Sequence, residues 1–160
     1  MSRLCQLKQV DDGTLVGVYG ALPPSLNSIY KVIHNPRITR GPKTRKIMST
    51  EANNWMKTFL ADMAPKAVAL NLDPAALYDL ELTFQSPQFL RVRPGKKEGY
   101  VEHVRKIDSS NLVKLAEDCI SALVAVDDSH FWNHELIKQL GDEELLRFKL
   151  AKQPDVPWKT

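Results

Sequence analysis

An α+β fold, one mixed β-sheet packed against two main helices in the order β-α-β-α-β-β, follows from three observations on this chain of 160 residues. Two stretches carry apolar residues on a helical period: Trp55, Phe59, Leu60 and Met63 in one, and Leu112, Leu115, Ala116, Cys119, Ile120 and Leu123 in the other. Runs of strand-forming residues precede, separate and follow them. At 43% apolar composition the chain is long enough for one buried core and short for two, so residues 1–152 read as a single domain and residues 153–160 as a flexible tail.

Leu15 to Leu22, after the turn-forming Asp11-Asp12-Gly13, is the first strand, and it ends at Pro23-Pro24. Pro23 to Tyr30 leaves the sheet as a rigid turn, in which prolines fix the backbone and Ser25 and Asn27 can bond nearby main-chain groups. Lys31 to Lys46 holds six Lys or Arg residues and no acid, with Pro36, Gly41 and Pro42 as breakers, which predicts an exposed basic loop. Ser49 or Thr50 caps the first helix, with Glu51 in its first turn, and the apolar stripe runs to Pro65 or past it to Leu70. Leu77 to Ser86 alternates Leu80, Leu82 and Phe84 against Asp79, Glu81, Thr83 and Gln85, the mark of a strand with one wet face. Arg91 to Lys106 is again basic, with Pro94, Gly95 and Gly99 at its centre, and predicts a mobile loop or hairpin tip. Phe131 to Leu140 and Leu145 to Ala151 are two strands joined by Gly141-Asp142-Glu143-Glu144, read as an antiparallel hairpin.

Charge and cysteine narrow the setting. The net charge of +3 is mild but unevenly spread, concentrated in the two basic stretches. Cys5 and Cys119 are too few for a disulfide framework, and Cys119 sits on the apolar helix face as a small hydrophobe. With no signal-like apolar run at the N-terminus and no stretch approaching ~18 apolar residues, the expectation is a soluble cytoplasmic protein with no membrane contact.

The segment from Lys106 to Ser129 carries the chemistry. Asp108 precedes its amphipathic helix, Lys114 lies on the second turn, Glu117 and Asp118 follow in mid-helix, and Asp127-Asp128 stand just past the end. Carboxylates that hold Mg²⁺ let an enzyme attack a phosphodiester, provided acids from separate elements converge. A helix of this length is about 20 Å long. Asp108 and Asp127-Asp128 therefore meet only if the chain after Val124 turns back beside the helix, or if the helix is shorter than its periodicity suggests. Each residue also has a plainer reading: Asp108 as an N-cap, Lys114 as a solvated lysine paired with Glu117, and Asp127-Asp128 as a polar turn from which at most one side chain reaches a shared metal. His130 and His134 share a strand face four residues apart, some ~13 Å, which excludes a common zinc ion. No phosphate-binding glycine loop or nucleophile elbow is present. The basic stretches flank the acidic segment, as a nuclease needs: Arg37, Arg40, Lys43, Arg45 and Lys46 in the first and Arg105 and Lys106 in the second would hold a polyanion by its phosphates.

In two motifs the chain resembles the RusA family of Holliday junction resolvases, collinearly over most of its length. Pro23, Pro24, Ser25, Asn27 and Tyr30 follow the family's Pro-Pro-Ser-x-Asn-x-x-Tyr, with Ser49-Thr50-Glu51 after the basic stretch. Asp108-Ser109-Ser110-Asn111-Leu112-Val113-Lys114, then Asp118 and Asp127-Asp128-Ser129, follow its Asp-x-Asp-Asn-x-x-Lys and Asp-Asp pattern. The second aspartate of that pattern is Ser110 here. The resemblance implies a RusA-like fold and Mg²⁺-dependent nicking of four-way DNA junctions by a homodimer, with Mn²⁺ as a substitute ion and a role in recombination and repair. It also implies that Asp108, Lys114 and Asp128 are catalytic, Asp108 and Asp128 as metal ligands with Asp127 as support or alternate ligand, and Lys114 as the cation near the scissile phosphate. Asn27 and Asn111 join the substrate-binding set. Ser110 brings no charge, and Glu117, close to it in angle on the helix, is a replacement acid. Ser110 also motivates a different reading, a junction-binding protein that has lost cleavage; a third is a small basic domain that binds RNA or a protein.

Overall fold

The computed structural model describes residues 3–11, 13–25, 29–34, 44–94, 100–104 and 110–154, with the backbone alone at 30, 31, 33, 34, 44–46, 90–94, 100–104, 110 and 111. In chain order the elements are β1 (Cys5–Gln9), β2 (Thr14–Tyr19), β3 (Tyr30–His34), β4 (Thr44–Met48), α1 (Thr50–Ala67), β5 (Tyr78–Gln85), β6 (Leu90–Pro94), β7 (Tyr100–Val104), α2 (Ser110–Val124), β8 (Phe131–Gln139) and β9 (Leu145–Lys152). Short 3₁₀ turns at Pro87–Phe89 and Asp128–His130 lead into β6 and β8. The α+β class is as the sequence predicts.

Five strands form one mixed sheet in the order β1-β2-β9-β5-β8. The two-residue period of its strands puts Leu15 and Tyr19, Tyr78, Leu80, Leu82 and Phe84, and Leu146, Phe148 and Leu150 on one buried face. Phe59 and Met63 of α1 and Leu112, Leu115, Ala116, Cys119 and Ile120 of α2 close that face in a single core. The buried stripe of α2 is the one its periodicity predicts, with Leu123 partly buried. Ser49 caps α1, its hydroxyl accepting from the Ala52 N–H at 3.1 Å. Tyr19 sets α1 on the sheet: its ring meets Phe59 edge-on at 4.9 Å, and its hydroxyl donates to Asp62 at 3.1 Å. Gly17 lies directly under the Phe148 ring, where any Cβ would strike that ring.

Several expectations need correction. A strand precedes the predicted first one: β1 forms a hairpin with β2, a pairing whose signal is the alternation of Cys5 and Leu7 against Gln6 and Lys8 before the Asp11–Gly13 turn. The first basic stretch is not all loop, since β3 and β4 pair antiparallel. In the second basic stretch β6 and β7 pair antiparallel, in agreement with the hairpin that is one of its two expected forms. α1 ends at Ala67, two residues beyond Pro65, and does not reach Leu70.

The largest correction concerns the last two strands. They do not form a hairpin; β5 lies between them, parallel to β8 and antiparallel to β9. A parallel pair needs a crossover element, and α2 supplies it between β5 and β8. The Gly141–Glu144 segment passes over the end of β5, where the Ser86 N–H donates to the Gln139 carbonyl at 3.1 Å and Gln85 Nε2 donates to the Glu143 carbonyl at 3.4 Å. A side chain at Gly141 would collide with Gln85. At the C-terminal end Gln153 is tied to the sheet, its N–H donating to the Leu77 carbonyl at 2.8 Å and its Nε2 to Asp79 at 2.6 Å; residues 155–160 of the predicted tail lie outside the described residues.

Candidate active site

α2 ends in a backbone reversal. Ala125 takes φ 56°, a left-handed conformation that alanine adopts at a cost of about 1–2 kcal/mol. Ser121 Oγ donates to the Val126 carbonyl at 2.7 Å, and the Val126 side chain is buried, so the turn is held at both ends. Asp127 then caps the short 3₁₀ turn, its Oδ1 accepting from the Ser129 N–H at 2.9 Å. Hydrogen bonds from the Ser129 side chain and N–H hold the Asp127 carboxyl below its usual range.

This reversal carries Asp128 back along α2. Asp128 Oδ2 accepts from Lys114 Nζ at 3.1 Å, across 14 residues of sequence. The same ammonium group lies 2.6 Å from Asp118 Oδ1, one turn further along the helix. The hydrogen bonds that Lys114 donates, to Asp118 first and to Asp128 second, hold it protonated well above the usual lysine range, against the opposing effect of burial. The three side chains are partly exposed, so a ligand can reach them.

The acidic pair divides, but through a cap and not through an extended strand: Asp127 caps the 3₁₀ turn and accepts from its backbone, while Asp128, the first residue of that turn, reaches the lysine. Lys114 pairs with Asp118 at i,i+4, not with Glu117 as the sequence reading supposes. Glu117 Oε1 lies 2.7 Å from His134 Nε2 on β8, with only 15% of its side chain exposed, so the suggested replacement acid is already engaged. His130 Nδ1 lies 3.0 Å from the Ala76 carbonyl, so the two histidines have separate partners. Asp118 is the residue that sequence reasoning left without a role; its signal was the four-residue spacing from Lys114.

The first motif lies near the start of α2. Pro23, Pro24 and Ser25 line a cleft of about 350 Å³ together with Glu51, Trp55, Phe89 and Leu112. Asn27, Arg37, Arg40, Lys43, Arg105, Lys106 and Asp108 lie outside the described residues. Arg45 and Lys46 are on β4, Ser110 and Asn111 open α2, and their side chains also lie outside the description. Among the described residues no group of three or more His, Cys, Asp or Glu side chains gathers as a metal cluster, and no helix is long and apolar enough to cross a membrane.

No curated protein compared with the chain matches it. The model of the family described as endodeoxyribonuclease RusA does match, over residues 30–147, about three-quarters of the sequence. The matched region contains the α2 motif, the Asp128 reversal and the β3–β4 and β6–β7 hairpins; Pro23 to Asn27 of the first motif precede it. On this match, the chain belongs to the RusA family of endodeoxyribonucleases.

Proposed function

We propose that the chain is a Mg²⁺-dependent endonuclease that resolves four-way DNA junctions by paired nicking, working as a homodimer in recombination and repair in the cytoplasm. The observation that supports this best is the meeting of Asp128, Lys114 and Asp118 on the helix that Asp108 precedes, within the region of the family match. Mg²⁺ keeps several waters and binds through one or two carboxylates plus substrate phosphate, so Asp108 and Asp128, with Asp118 beside the latter, fit it by donor chemistry, as they fit Mn²⁺. When bound, such an ion supplies Lewis acidity at the phosphodiester and acidifies a water.

The remaining work falls to the chain itself. Lys114, held as an ammonium ion, offsets charge on the scissile phosphate and is unsuited to accept a proton. Asp118 positions that ammonium group, and Asp127 fixes the turn that presents Asp128. Arg37, Arg40, Lys43, Arg45 and Lys46, in and between β3 and β4 in sequence, and Arg105 and Lys106, which follow β7, hold DNA by its phosphates, with Asn27 and Asn111 as further polar contacts.

A synthetic four-way junction tests this. Paired, symmetric cuts are expected with Mg²⁺ and none with EDTA. Tight junction binding with no cleavage in Mg²⁺ or Mn²⁺ would make the protein a binder, the reading that Ser110 motivates.

A further inference from the structure

The five-stranded sheet ends on β8, and among the described residues no strand covers that edge. Among the described residues β8 pairs only with β5, so one row of its peptide N–H and C=O groups has no strand beside it. An unpaired ladder is a template for another strand, which is why single edges are blunted by prolines, bulges or clustered lysines. β8 contains no proline and has one lysine, Lys138, whose ammonium group lies 5.1 Å above the Phe89 ring; a bulge at Trp132 opens the strand, and from Asn133 to Gln139 its register with β5 is unbroken. Beyond that bulge the edge exposes Leu136 (38%), Ile137 (36%) and, just past its end, Leu140 (55%), with Trp132 (56%) in the bulge itself. The opposite edge strand, β1, exposes no large apolar side chain within its length, and its exposed apolar residues, Leu4 (42%) and Val10 (57%), lie just outside its two ends.

The regular part of the strand runs from Asn133 to Gln139, with Leu136 as its middle residue, beside Leu82 on the helix-covered face of the sheet. If two copies lay β8 against β8, antiparallel, with Leu136 on the two-fold axis, the two Leu136 side chains would meet on that face and the regular segments would overlap over their full length. On the other face Glu135 would fall opposite Ile137. Pairing must shift in steps of two to keep each face continuous, and both neighbouring registers are worse. One sets Glu135 against Glu135, and the other sets Leu136 against Lys138. The favoured register has one adverse pair, His134 opposite Lys138, and Glu117, 2.7 Å from His134 Nε2, offsets charge there.

We infer that β8 is the dimerisation strand, joining two copies through an antiparallel β8–β8 ladder centred on Leu136 into one sheet of twice the width. This deepens the paired-nicking reading and takes its functional meaning from it, since two incisions need two sites in one complex.

The test uses the full chain in sedimentation without DNA. A dimer is expected, and Leu136→Lys, which sets two ammonium groups together on the axis, should weaken association at least about tenfold while leaving the melting temperature close to that of the parent. A second variant covers the case in which that change perturbs folding. In a Cys5→Ser background Leu136→Cys should cross-link to a dimer with diamide, because directly opposed antiparallel residues have Cα atoms about 4.5–5.5 Å apart, within disulfide reach. Lys8→Cys on β1 should not. A monomer at all concentrations, a dimer unaffected by a folded Leu136→Lys protein, or a dimer in which Leu136→Cys does not cross-link would each overturn the proposal. Junction cleavage is measured alongside: an inactive protein with the β8 dimer fails the nuclease reading alone, and an active one whose dimer ignores Leu136 fails this inference alone.

Discussion

Asp128 Oδ2 lies 3.1 Å from Lys114 Nζ, although 14 residues and the end of a helix separate them in sequence. The contact exists because the chain reverses at Ala125 and runs back beside α2, and it brings an acid from a turn to a lysine that also holds Asp118. Asp128→Asn and Asp108→Asn are each expected to abolish Mg²⁺-dependent cleavage and leave junction affinity nearly unchanged, since each removes an ion donor and not a phosphate contact. Lys114→Ala should lower kcat by about two orders of magnitude or more with a small change in melting temperature, because a half-exposed ion pair contributes little to stability. Single-turnover cleavage with parallel gel-shift titrations checks all three; near-normal cutting by any one removes that residue from the site.

The reversal itself can be tuned. Ala125→Gly relieves left-handed strain at some cost in chain entropy and should raise stability by about 0.5–1 kcal/mol with activity retained. Ala125→Val should lose both stability and cleavage, because a β-branched side chain resists positive φ and Asp128 depends on that turn. Urea unfolding and the junction assay measure the pair. A fully stable, fully active valine variant would show that the turn does not hold Asp128.

Ser110 and its neighbouring acids separate by mutation. Ser110→Asp should lower the Mg²⁺ concentration for half-maximal cleavage, since it adds a charged oxygen donor. Because Glu117 is occupied by His134 and Asp118 is next to Lys114, Asp118→Asn should cut activity more than Glu117→Gln, whose main effect should be a lower melting temperature. The reverse order would identify Glu117 as the acid that replaces the family carboxylate.

Junction affinity should fall steeply with salt. Neutralising Arg40, Lys43, Arg45 and Lys46 together should weaken binding and flatten the slope of log affinity against log salt by up to roughly three to four, as counterion release predicts. An unchanged slope in filter-binding titrations would take the β3–β4 arm off the DNA.

Alkaline pH should destabilise the fold through Cys119. Burial pushes its thiol from 9.0 up to about 12, so above the lower value the unfolded chain releases a proton that the folded chain keeps, and stability falls as pH rises between the two. At 1.36 kcal/mol per unit, about 2 kcal/mol is lost between pH ~9 and ~10.5. Tyr19, also pushed up to about 12 by burial and by its bond to Asp62, adds in the same direction. Cys119→Ala should start less stable but lose less over that interval. Parallel slopes for the two proteins in urea unfolding would contradict the assignment.

The sequence by itself determined the faces. Periodicity picked out the buried stripe of α2 and the inward Leu80, Leu82 and Phe84 of β5, although Thr83 and Gln85 on the face expected to be wet are buried as well; residue type gave the cap at Ser49, and motif spacing gathered Asp108, Lys114 and Asp128 into one proposed constellation. It did so because burial imposes a period of 3.6 or 2 on the residues themselves. Neighbours were decided only by the tertiary structure. A two-residue period says which side of a strand is buried and nothing about which strand lies beside it, so the turn-like Gly141–Glu144 suggested a hairpin where β5 in fact intervenes. On α2 either Glu117 or Asp118 could meet Lys114 by helical spacing alone. The choice fell to Asp118 because β8, brought alongside by the same crossover, supplies His134 to Glu117, while the left-handed turn at Ala125 returns Asp128 to the lysine.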